Sequence, residues 1–364
     1  MEKVLFKGFF ALYPLMAHLE TDWSTWEVTA SIRGSVNVHL NEPKQTPKMR
    51  SLLTTFIALL VTLTSLAQDA HFTQFYANPI YLNPALAGVR GCPTVTMNYR
   101  NQWPGIKDAY TTYSTSFDQY SEKLKGGVGF NILHDRAGSG RLKTTAASAV
   151  YAYQYQISKK ITVKLGGKAT FVNKSIDWNR LIFGDMIDAR EGVIYETQQS
   201  FGEPVNYFDF SAGAMIFTDY FFGGFVVDHL TEPAEGLLNR YATSLPRKYT
   251  FHAGANIPLG KMWKKNRAIS PNVMVTQQNG STQVNMGLYL RMRELVVGGW
   301  YRNKDSFIVL AGIETDKFKF AYSYDITTSG ILKQTLGSHE LSYSVYLPCK
   351  KKQKKVRKLY CPVF

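Results

Sequence analysis

The sequence predicts an all-β protein: a transmembrane antiparallel β-barrel of about 14 strands, with an irregular N-terminal periplasmic segment. Three observations lead there. Polar and apolar residues alternate with period two in segment after segment from Thr94 onward. The connections between those segments alternate between tight and long, and a secretory leader stands upstream of all of them. Composition agrees: 45% hydrophobic and 14% aromatic residues argue against a disordered chain. A single uncharged apolar run, from Ser51 to Gln68, is too few for a helical membrane protein.

That run belongs to the first element, residues 49–67. Met49-Arg50 supplies a basic start, Ser51 to Leu66 an apolar middle, and Ser65 and Ala67 the small residues at −3 and −1, so a signal peptide cleaved near Ala67 is expected. A membrane-spanning helix is the rival reading, but no basic stop-transfer cluster follows. Leaders are read at a nascent N-terminus, and residues 1–48 lie in front of this one without repeat or periodicity. They are expected to be an upstream extension translated in error or discarded, with Met49 as the start. No Cys follows the cleavage site, so the usual lipoprotein anchor is not expected.

Residues 68–93 form the second element. Pro79 and Pro84 remove two backbone donors and push Asn78 and Asn83 out of the helical region, which predicts a succession of turns. Phe72, Phe75, Tyr76, Ile80, Tyr81 and Leu82 make the stretch too apolar for a linker in water. It is expected to pack on or into the periplasmic mouth of the barrel.

The barrel is placed at 94–348, with strands near 94–102, 109–119, 125–134, 142–157, 160–172, 206–217, 220–229, 247–257, 269–276, 281–291, 294–302, 306–314, 317–325 and 338–347. From Thr282 to Met292, Val284, Met286, Leu288 and Leu290 share one face, and Gln283, Asn285, Gly287, Tyr289 and Arg291 the other. Connections after even-numbered strands are mostly tight, such as Ser158-Lys159, Thr218-Asp219 and Thr315-Asp316; those after odd-numbered strands include 173–205, 230–246 and 326–337. Tight turns with both termini at one rim, and long loops at the other, suit a closed outer-membrane barrel better than a soluble sandwich or solenoid. Trp103, Tyr120, Phe221, Phe222, Trp300 and Tyr346 are expected in the interfacial girdles. The charged face predicts an interior that is wet or filled by polar protein.

The last element, 349–364, is a basic tail flanked by Cys349 and Cys361. Lysines and arginines number 42 against 27 acids, and seven of the cations lie in the last fifteen residues. Without a stacking platform this run does not indicate nucleic acid; acidic periplasmic proteins or anionic headgroups are the better partners for it. The three cysteines, Cys92, Cys349 and Cys361, permit three pairings in an oxidising periplasm. One of them, Cys92 with Cys349, would clasp the seam between the first and last strands, while shared membership of the tail motif leans toward Cys349 with Cys361. No catalytic motif such as H-E-x-x-H, G-x-S-x-G or a P-loop occurs, and neither enzyme activity, cofactor nor metal site is expected. Asp185 and Asp188 offer only two carboxylates for a cation.

The stretch His71-Phe-x-Gln-Phe-Tyr-x-Asn-Pro-x-Tyr-x-Asn-Pro-Ala-x-Ala-Gly88, followed by Tyr99-Arg-Asn-Gln-Trp-Pro104, resembles the PorP/SprF family of type IX secretion system membrane proteins. Tyr322-Ser-Tyr-Asp325, Thr328-Ser-Gly330, Gly337-Ser-His-Glu-Leu341 and the Cys361-Pro-x-Phe364 ending extend the likeness over Gln68 to Phe364. Ala70 departs from it, since Pro is the more usual residue there. The resemblance implies an integral outer-membrane, non-enzymatic component of that secretion system. It also implies partners: outer-membrane lipid, the periplasmic translocon ring and large secreted surface adhesins. Candidate partner-binding residues are Phe75, Tyr76, Asn78, Pro79, Asn83 and Pro84 in the N-terminal segment and Arg100, Asn101, Gln102 and Trp103 at the first strand's end. A passive, porin-like solute channel is the alternative.

Overall fold

A computed structural model describes residues 69–106, 109–138, 141–188, 190, 192–198, 202–237, 244–259, 267–328 and 332–349. The upstream extension, the signal peptide and the basic tail with Cys361 lie outside the described residues.

The alternating segments form fourteen antiparallel strands. They are β1 (Thr94–Gln102), β2 (Tyr110–Ser121), β3 (Gly126–Ala137), β4 (Leu142–Gln156), β5 (Thr162–Ile176), β6 (Val205–Phe217) and β7 (Phe221–Asp228). The second half is β8 (Lys248–Ala255), β9 (Arg267–Gln278), β10 (Ser281–Met292), β11 (Leu295–Arg302), β12 (Ser306–Glu314), β13 (Phe318–Thr327) and β14 (Ser338–Tyr346). Each strand pairs with its sequence neighbours, and β1 pairs with β14 from Thr94↔Tyr346 to Gln102↔Ser338, so no edge is left open. β8 lapses at Asn256 and resumes in the same register as Ile257–Pro258, where Pro271 of β9 has no N–H to give.

The side-chain alternation divides inside from outside as the period-two pattern requires. Met97, Tyr113, Phe117, Phe130, Leu165, Phe208, Phe251, Met286, Phe320 and Tyr343 stand exposed on the outer face, where lipid would solvate them. Thr96, Asn98, Arg100, Ser114, Lys164, Asn285, Ser323 and Glu340 point inward and are buried. Short turns such as Thr218–Tyr220 join strands at the rim that carries Thr94 and Tyr346; the connections 177–204, 229–247 and 328–337 lie at the other. The first of these carries its own small hairpin, Ile187–Asp188 against Gly192–Val193.

Inward-facing polar groups that are buried need something to bury them. That role falls to the N-terminal segment, which occupies the lumen rather than only its periplasmic mouth. Its Asn-Pro pairs shape it as their backbone limits predict. Phe75–Ala77 is a 3-10 turn, Pro79–Leu82 one helical turn and Pro84–Leu86 a second 3-10 turn, each proline sitting at the first position of its turn. Asn83 is extended, and its side chain accepts a hydrogen bond from the Ala85 amide.

Candidate functional site

The filled lumen is the most elaborate arrangement in the molecule, and it is built in tiers. At the long-loop rim the segment begins with Asp69, whose carboxylate lies 2.8 Å from both His229 Nε2 and Lys248 Nζ. Asp209 accepts from the other ring nitrogen of His229 at 2.8 Å, and Asp228 takes Lys168 at 3.0 Å. Burial opposes charge on the His229 ring, but the Asp69 and Asp209 carboxylates outweigh it and push its pKa up to about 9, against some opposition from Lys248.

A second anchor faces the first across the lumen. Glu340 of β14 accepts the backbone N–H groups of Thr73 at 2.6 Å and Gln74 at 3.0 Å. Arg100 of β1 reaches Asp325 at 2.9 Å and Glu340 at 3.2 Å, and also donates to the Thr73 hydroxyl, which donates in turn to Asp325 at 2.7 Å. Arg302 completes the balance, with Asn285 at 3.2 Å and Asp325 at 3.6 Å. Each buried charge has an opposite charge and hydrogen-bond partners, the condition under which such groups are tolerated away from water.

Below these anchors the contacts turn apolar. Phe75 meets Trp300 edge-on at 5.3 Å, and Tyr76 packs against Phe222 at 5.8 Å and His252 at 5.8 Å, in a buried cluster that includes Met215, Met274, Tyr289, Val296, Ile308 and Leu310. Four girdle expectations are corrected: Trp300 and Phe222 face the lumen, where the aromatic segment offers them partners, and Tyr120 and Tyr346 share the inward side of their cross-strand partners Gly127 and Thr94. The interior is likewise not wholly polar. Asn78 donates to Ser114 at 2.9 Å, and Ile80 is buried beside Val150 and Ala152.

The lowest tier is a close backbone approach. Gly127, Ala152, Gly166 and Gly213 stand side by side on β3, β4, β5 and β6, each the cross-strand partner of the next. The segment from Asn83 to Gly88 lies along this row. A Cβ on Gly213 would come within 2.2 Å of Asn83 Oδ1, one on Gly166 within 2.3 Å of the Ala85 nitrogen, and one on Gly127 within 2.0 Å of the Ala87 carbonyl. Lys164 donates to the Ala87 carbonyl at 2.5 Å and Asp118 accepts from the Gly88 amide at 2.7 Å. The segment then leaves the lumen at the short-turn rim, where Arg90 lies over the Tyr346 ring at 3.1 Å.

At that rim Cys92 is bonded to Cys349, with their Cα atoms 5.1 Å apart. The pairing is the seam clasp and not the lean toward Cys349 with Cys361, because closure of β1 on β14 brings the two flanking residues together. Of the sequence-nominated residues, Phe75, Tyr76, Asn78, Asn83 and Pro84 are buried against the barrel wall, and Pro79 is half-buried beside them. Arg100 and Gln102 face inward and Asn101 outward, and Trp103 stacks edge-on with Tyr110 at the long-loop rim. Sequence reasoning missed the wall's side of the site: Glu340, Asp325, Arg302, Lys164 and the glycine row. Glycines inside strands were the available signal for that row. Asp185 in the longest loop is engaged by Thr197 and the Gln198 amide, and the described residues contain no group of three or more potential metal ligands.

Residues 64–345 match the family described as type IX secretion system membrane protein PorP/SprF. The chain belongs to the PorP/SprF family. With its closed barrel, this makes it an outer-membrane protein associated with type IX secretion. No curated protein matches it. Among solved structures, it is similar in outline to the monoaromatic hydrocarbon channel CymD, at TM-score 0.41 and 9% identity over 78% of this chain and 95% of that one. It is also similar to a Pseudomonas aeruginosa FadL homologue, at 0.40 and 9% over 73% and 93%. A third likeness is to the KdgM porin, at 0.36 and 7% over 70% and 99%. In this PorP/SprF barrel, the Asn-Pro segment that fills the lumen lies within the matched residues.

Proposed function

We propose that this PorP/SprF chain is a non-enzymatic component of the type IX secretion system that supports secretion or surface retention of large adhesins and contacts the periplasmic ring. The observation that carries the reading is the filled lumen. A segment clamped by Glu340 and Arg100 at one end and seated on the glycine row at the other threads the lumen where solute would pass, which disfavours a passive solute channel. The outer rim offers the long connections 177–204 and 229–247 to cargo, and the basic tail beyond Cys349 suits acidic periplasmic partners.

The test is affinity purification from membranes, with mass spectrometry of what accompanies the barrel. Ring components and a secreted adhesin are expected. Steady ion conductance of the purified parent, with no such partners, would transfer the role to the channel reading. Deleting Phe72 to Ala87 is expected to leave a heat-modifiable barrel and to end secretion; unaltered secretion would remove the segment from the mechanism.

A further inference from the structure

The direction in which the segment runs through the lumen has a consequence for the mature N-terminus. Asp69 lies among His229, just past the end of β7, and Lys248, the first residue of β8, so it is at the long-loop rim. Cys92, at the other end of the segment, is tied to Cys349 just past the end of β14, at the short-turn rim. Between them the contacts descend in order. Thr73 and Gln74 meet Glu340 near the start of β14, Asn83 meets Gly213 within β6, and Ala87 meets Gly127, one residue into β3. The chain therefore travels the full height of the wall, on the order of 25 Å, before β1 begins.

We infer that leader removal creates an N-terminus displayed at the outer, long-loop mouth of the barrel. This rests on the reading of the chain as an outer-membrane barrel with its short turns in the periplasm and a leader cleaved after Ala67. Only Gln68 separates Ala67 from Asp69, and one residue spans at most about 3.6 Å. The first residue of the mature chain therefore lies within that reach of the Asp69 cluster. The balanced charges around Asp69 then fix the first residues of the mature chain at the face where cargo arrives, so this end of the chain is an element of the outer surface rather than a periplasmic tail.

The experiment is site-specific labelling of the full chain in intact cells. A cysteine inserted between Gln68 and Asp69, which leaves Gln68 as the first residue after the cleavage site, in a Cys361→Ser background with no other thiol outside the Cys92–Cys349 bond, is treated with a membrane-impermeant maleimide. The expected result is labelling in intact cells as strong as after the outer membrane is permeabilised. Labelling only after permeabilisation, in a barrel that is heat-modifiable and fractionates with the outer membrane, would overturn the inference and leave the barrel reading standing. Failure to find a heat-modifiable outer-membrane species would instead sink the reading beneath it. Should the thiol react in neither condition, a short epitope placed after Ala67 decides: antibody access on intact cells supports the inference, and access only after permeabilisation overturns it.

Discussion

Gly166 and Gly167 are neighbours on β5 that face opposite sides of the wall, and replacing each by alanine separates plug seating from barrel stability. A Cβ on Gly166 would lie 2.3 Å from the Ala85 nitrogen and 2.4 Å from the Pro84 carbonyl carbon, whereas one on Gly167 meets nothing within 4 Å. Backbone cannot swing aside as a flexible side chain can. Restoring ordinary contact lifts Pro84–Ala85 by about 1 Å, which draws Asn83 off Gly213 and stretches the bond from Lys164 to the Ala87 carbonyl. Overpacking of this kind costs about 1–3 kcal/mol, roughly a 5- to 150-fold fall in the ratio of seated to unseated segment. Gly167→Ala, which only restricts the unfolded chain, is expected to be neutral or stabilising by up to about 1 kcal/mol. Two assays read the difference: the urea midpoint of the heat-modifiable band, and channel activity in planar bilayers. Gly166→Ala should lower the midpoint and raise the frequency of openings, and Gly167→Ala should do neither. Equal behaviour of the two variants would refute the claim that the glycine row is a seat for the segment.

The other anchors make distinct predictions. Arg100→Ala leaves the buried Asp325 and Glu340 carboxylates without their shared cation and is expected to cost about 3–5 kcal/mol in urea titrations, with Arg100→Lys intermediate because it cannot fork to both. His229 has a folded pKa raised to about 9, so its stabilising contribution is complete below its ordinary value near 6.5 and is lost as pH rises through about 9. That contribution is up to about 3 kcal/mol; the urea midpoint of the parent should fall between pH 7 and 10, and that of His229→Gln should not show this step. Cys92→Ser removes the clasp at the short-turn rim but leaves the β1–β14 ladder paired; the barrel should stay heat-modifiable with a loss of about 2–4 kcal/mol, matched by the reduced parent.

Much of this architecture is legible without coordinates. Alternation such as Phe318, Phe320 and Tyr322 against Lys319, Ser323 and Asp325 names a strand and its two faces, because consecutive side chains in an extended backbone must point opposite ways. The turns at Pro79 and Pro84 follow from fixed φ and a missing donor. Where the residues of the lumen site were concerned, the segment's own half was readable from its aromatics and Asn-Pro pairs, and the wall's half was not. Trp300 and Phe222 illustrate the difficulty: an aromatic near a strand end suits a lipid interface or a packed lumen equally well, and only the presence of Phe75 and Tyr76 opposite decides.

By itself, then, the order of amino acids determined local matters: which segments extend, which face of each is apolar, where the chain must turn, and that the strands number an even fourteen. Only the closed tertiary structure decided how deeply the N-terminal segment enters, that it runs from the outer rim down to the inner one, that Cys92 finds Cys349, and that Gly127, Ala152, Gly166 and Gly213 form one row. Backbone stereochemistry acts between adjacent residues and so is written along the chain. Register, closure and lumen packing join residues as far apart as Thr73 and Glu340, and exist only once every strand has found its partner.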